Sequence, residues 1–114
     1  MKLPVAFLAI AALGACSGPV SSPMERHARM SKAGELVARE CAGVAGGYSD
    51  MKSIREDAAK NAEIARELGA TPAVMSKAAE DVQENYAAGY FLVGEYDACN
   101  QLMSALSEAQ VKYR

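Results

Sequence analysis

Histidine occurs once and cysteine three times in this 114-residue chain. That scarcity excludes a good deal. No Cys-x-x-Cys pair is present, so redox-exchange and c-type haem sites have no starting point. His27 lies 14 residues before Cys41 (41 − 27). Along one continuous helix that is about 21 Å, too far for a thiolate–imidazole pair. An exposed or half-exposed His27 is the expectation. Zinc spacing, a calcium loop, a glycine-rich phosphate loop and a Gly-x-Ser-x-Gly elbow are all missing. The abundant carboxylates, from Glu56 to Glu84, fall mostly off the apolar faces and read as solvated surface. No catalytic residue, metal ligand or cofactor is therefore assigned, and the chain is not expected to be an enzyme.

Positive charge is also in short supply. Twelve Lys and Arg stand against fourteen Asp and Glu, a net charge of −2. Nucleic acid and a polybasic membrane surface both need clustered cations, so neither is an expected partner. Long apolar runs are absent too. Leu3 to Leu13 is apolar or small, but a bilayer-spanning helix needs about 20 such residues. Behind Lys2, the run fits the hydrophobic region of a secretory signal. A plain signal cut after Ala15 would want a small residue at position −3, where Leu13 stands.

Leu13-Gly14-Ala15-Cys16 resembles the bacterial lipobox, in which two small residues separate a leucine from the cysteine that is lipidated. The resemblance implies that residues 1–15 are a cleaved signal and that Cys16 carries the lipid. Ser17, where an aspartate would retain the protein at the inner membrane, by analogy implies sorting to the outer membrane; the expected placement there faces the periplasm. Several acyl chains on one residue anchor stably, where one chain holds only marginally. Residues 16–22 then form a flexible tether, rich in Ser, Gly and Pro. Residues 23–114 form one domain. The mature chain would have 99 residues (114 − 15) and, without Lys2, a net charge near −3.

Cys41 and Cys99 remain. In an oxidising envelope two cysteines usually pair, and two separate buried thiols are the alternative.

Strand signals are scarce and helix signals dense. Ser22-Pro23-Met24-Glu25 looks like a capping box with proline at the first helical position. Met30, Ala33, Val37, Cys41 and Val44 then recur at spacings of three and four, up to a stop at Gly46-Gly47. A second helix, capped at Ser49 or Asp50, would bury Met51, Ile54, Ala58, Ala62, Ala65 and Leu68, with Gly69 closing it. Thr71-Pro72 opens a third, with Met75, Ala78, Val82, Tyr86, Gly89, Tyr90 and Val93 on its face and Gly94 at its end. A fourth starts near Glu95 to Asp97 and buries Cys99, Leu102, Met103, Leu106 and Ala109. The fold expected is all-α: an up-down four-helix bundle in which sequential neighbours pack antiparallel. In that topology the first helix ends where the fourth begins, which brings Cys41 and Cys99 to one level as a disulfide.

Tyr86 to Val93 is apolar around most of the helix circumference. The expectation is a central, most buried helix. A functional reading stands beside it, in which Tyr86, Tyr90, Phe91 and Leu92 bind a partner at a groove. Gly89 would then allow a close helix approach.

The helix ending in "ELVAREC" (35–41), the break in "AEIARELGATP" (62–72), the Tyr-bearing "EDVQENY" (80–86) and the last helix "DACNQLMSAL" (97–106) together resemble the small all-helical pilotins of type II secretion. That resemblance implies four helices, a first-to-last disulfide, and a groove that holds a short helix of a secretin subunit. Leu36-Val37 stands where the family would place an aromatic residue. The expected role is an envelope protein-binding lipoprotein. An immunity or entry-exclusion lipoprotein, or a structural envelope lipoprotein, is the alternative.

Overall fold

The computed structural model describes residues 22–44 and 48–113. The lipobox with Cys16, and the Gly46-Gly47 stop, lie outside them. Four helices make up the fold: α1 (Pro23–Glu40), α2 (Tyr48–Glu67), α3 (Pro72–Val93) and α4 (Glu95–Lys112). The described residues contain no strand.

Local chemistry sets most of the boundaries. Ser22 Oγ accepts the Glu25 N–H at 3.2 Å, and Thr71 Oγ1 accepts the Val74 N–H at 3.2 Å, each beside a proline in the first turn. These caps satisfy donors that the helix leaves without partners. At the end of α2, Gly69 has φ +104°, and the N–H groups of Gly69 and Ala70 reach the carbonyls of Arg66 and Ala65. That is the two-bond Schellman arrangement, which needs a left-handed residue. Two boundaries differ from expectation. The first helix stops at Glu40, with Cys41 as its cap, because the chain turns there and Gly43 takes φ +80°. The second already includes Ser49 and Asp50, since it starts at Tyr48.

Directions alternate along the chain. His27 meets Asn61 while Arg55 reaches the Ala38 carbonyl, so α1 and α2 run antiparallel. Cys41 bonds to Cys99 and Arg26 stacks over Tyr113, so α1 and α4 are antiparallel as well. The packing is not a square. The α1 backbone lies against all three other helices, whereas among the described residues no Cα of α2 comes within 8 Å of α3 or α4. The expected α2–α3 backbone packing is therefore missing, and the central helix is α1 rather than α3. Ala28, Leu36, Val37 and Ala38 of α1 are nearly inaccessible.

The main core gathers Met30, Leu36, Val37, Met51, Val82, Tyr86, Leu106 and the two cysteines. The disulfide has a Cα–Cα separation of 5.6 Å and spans 58 residues. A second, smaller cluster of Ala28, Ala62, Ala65, Met75 and Ala78 fills the opposite end. Alanines dominate it because the helices are close there. Leu68, expected inward, is half-exposed beyond this cluster.

Asn61 is the notable buried polar side chain, 4% exposed. Its amide donates to the Asp57 carbonyl, and its Oδ1 accepts from His27 Nδ1 at 2.8 Å. His27 is half-buried, and its role is to satisfy that core amide.

Candidate functional site: an exposed apolar corner

The α3–α4 corner holds most of the large apolar side chains that the described residues leave in water, with Leu68 and Val111 apart from it. It arises from unequal helix lengths. α1 ends at Glu40, and the disulfide fixes Cys41 beside Cys99. Tyr86 lies at that level: it is 8% exposed, and its hydroxyl is 3.9 Å from Cys99 Sγ. α3 continues seven residues further (93 − 86), about 10 Å of rise, with no α1 alongside. Among the described helices, the start of α4 accompanies it.

The consequence is exposure. Phe91 is 88% exposed and Leu92 76%, with Tyr90, Val93 and Tyr96 exposed beside them. Tyr90 leans on Tyr86 edge-to-face, with ring centroids 6.1 Å apart. This is a favoured aromatic geometry, and it leaves the far side of Tyr90 open to solvent. Burial raises the Tyr86 hydroxyl pKa first, and the nearby Glu40 and Glu95 carboxylates raise it further, so its neutral form is favoured.

Gly94 makes the corner. Its φ of +88° is a conformation that side chains resist, and it lets α4 begin at once. Gly94 N–H bonds to the Tyr90 carbonyl, and the Gly94 carbonyl accepts from Ala98 N–H. At Gly89 a β-carbon would meet Ala98 Cβ at an ordinary 3.7 Å, so the α3–α4 contact within the fold does not depend on that glycine.

The four candidate residues thus divide. Tyr86 belongs to the core, while Tyr90, Phe91 and Leu92 are exposed near the end of α3. None of them lines any of four shallow clefts among the described residues. One of those lies between the starts of α1 and α3 at Met24, Ala28, Val74 and Ala78. Another lies between α2 and α4 at Ile54, Met103, Leu106 and Val111. Sequence reasoning missed Val93 and Tyr96 as members of the exposed set. Tyr96 follows Gly94 by two residues, and that was the available signal.

Among the described residues, no three of His, Cys, Asp and Glu group to hold a metal ion. No described helix is long and apolar enough to cross a membrane. No family model, curated protein or solved structure matches this chain.

Proposed function

We propose that this chain is an envelope lipoprotein, anchored through Cys16 to the outer membrane and facing the periplasm, that binds another envelope protein through its α3–α4 corner. It performs no catalysis and uses no cofactor. The observation that carries the reading is the exposure of five large apolar or aromatic residues, Tyr90, Phe91, Leu92, Val93 and Tyr96, close together in the chain at the α3–α4 corner. Clustered exposed apolar residues mark interaction surfaces, whereas scattered ones do not. Packing an apolar stripe of a partner helix against them is a familiar recognition mode.

Two features support the anchor. The Leu13-Gly14-Ala15-Cys16 stretch resembles a lipobox, and the Ser- and Gly-containing residues 17–22 suit a tether. The resemblance to pilotins makes a secretin subunit the specific partner. An exposed helix end is a different docking geometry from the groove of that family. The partner helix would lie across the end of α3.

A cross-linked pull-down from the native envelope in mild detergent tests this, with Cys16→Ala as the unanchored control. A secretin recovered with the protein, and lost from the outer membrane in the control, is the expected result. Recovery of a toxin or a conjugation component would replace the secretin reading with an immunity or exclusion role. Recovery of no protein would overturn the binding role itself.

A further inference from the structure

The corner is apolar at its centre and acidic at its margin. From Ala78 to Val111 the chain contains no Lys or Arg, yet it holds Glu80, Asp81, Glu84, Glu95, Asp97 and Glu108. Glu84 lies seven residues, two helical turns, before Phe91, so both occupy one face of α3. Ala87 and Ala88, also exposed, connect them. Glu95 and Asp97 flank Tyr96 directly, and both are exposed.

Ion pairs among the described residues take Asp81, Glu35 and Glu40, and Glu84, Glu95 and Asp97 stand outside them. Two cations, Lys32 and Arg39, share a shallow cleft with Glu84, and both are already engaged: Lys32 pairs with Glu35, and Arg39 bonds to Glu40 and Gln83.

We propose that this corner receives a cationic amphipathic segment of the partner protein, whose apolar side chains cover Tyr90, Phe91, Leu92 and Tyr96 while flanking Lys or Arg meet Glu84, Glu95 and Asp97. The inference rests on the protein-binding role and adds the partner's charge. Other occupants fit less well. A second copy would bring the same carboxylates against this margin, and like charges face to face oppose docking. An anionic lipid surface repels the margin for the same reason. The corner also lies far from where the chain enters the fold. Phe91 is 17 residues, about 26 Å of rise, beyond Val74, which shares a cleft with Met24 at the start of α1. The six residues from Cys16 to Ser22 span at most about 21 Å, so the tether cannot fold back to cover it.

Two experiments test the charge. In the first, the full chain in nonionic detergent is titrated into a fluorescent helical peptide with leucine on one face and lysine on the other. Saturable binding is expected, with none for the twin peptide carrying glutamate. Neutralising the margin (Glu84→Gln with Glu95→Gln and Asp97→Asn) weakens binding about tenfold, and Phe91→Ser with Leu92→Ser abolishes it. These are exposed positions, so circular dichroism should confirm an unchanged fold. Equal affinity for the two peptides, or no effect of the neutralised margin, overturns the proposal.

In the second, a photo-reactive residue replaces Leu92 in the intact envelope. An adduct to a protein segment flanked by Lys or Arg supports the inference. An adduct to a neutral or acidic segment overturns the charge assignment and leaves the binding role standing. An adduct to lipid or to a second copy overturns the occupant, and no adduct removes the binding role together with the inference.

Discussion

A β-carbon placed on Gly34 would stand 2.9 Å from Ala58 Cβ and 3.3 Å from the Ile54 carbonyl oxygen. The α1–α2 contact therefore has no room for even one methyl group. In an open helix, Gly→Ala gains about 1 kcal/mol of propensity. Here the clash is with a side chain rooted on backbone and with a carbonyl, so overpacking outweighs that gain. Gly34→Ala is expected to lower stability by about 1–2 kcal/mol, read from the urea midpoint. An unchanged or raised midpoint would mean that α2 shifts freely.

The covalent clamp should weigh more. Opening a loop of 58 residues removes about 4 kcal/mol of denatured-state restriction on the chain-entropy account. Cys99→Ser should therefore unfold at much lower urea than the parent protein under non-reducing conditions. The two should converge once the parent is reduced, apart from the small cost of placing a hydroxyl beside Tyr86.

Asp81 gives a pH signature. Its carboxylate accepts from Lys77 and Arg29, each at 3.0 Å, and these partners, Lys77 first, hold its pKa below the ordinary value. A lowered folded-state pKa favours the native state above the unfolded value, near 4, and the benefit fades as acid protonates the group. Asp81→Asn should cost about 1 kcal/mol at pH 7. The gap between the two proteins should narrow as the pH falls through the lowered folded-state pKa, as checked by denaturation across an acid pH series. A gap that persists in acid would assign the loss to packing.

Replacing Phe91 and Leu92 together by alanine should leave the melting temperature nearly unchanged, since both are mostly exposed. Substitutions on open surface stay within about 0.5 kcal/mol. Partner recovery from the envelope should nonetheless fall sharply. A large drop in melting temperature would show that these side chains support the fold rather than a contact.

Helix positions were legible in the sequence because they are decided locally. Ser22, Thr71, Gly69 and Gly94 act through bonds and backbone angles within a few residues. The pairing of Cys41 with Cys99 was expected because two cysteines remain for an oxidising compartment, and alternating helix directions bring them to one level. Burial of Tyr90 and Val93 did not follow. Periodicity tells which residues share a face, but not how far the neighbouring helix extends beside it. That depends on α1 stopping at Glu40, a fact about another element. Gly34 was in plain view as a glycine within a helix, yet only the position of Ala58 gives it meaning.

Tyr86 rests against the disulfide sulfur, and Tyr90 rests against Tyr86. The apolar corner is thus mounted on the one cross-linked point of the fold. A surface that is already rigid loses little conformational freedom on docking, so its contacts go into affinity rather than into ordering. Preorganisation of this kind is reversible: a reductant that opens Cys41–Cys99 would leave the same side chains in place on a looser mount, and a partner docked as proposed would dissociate faster.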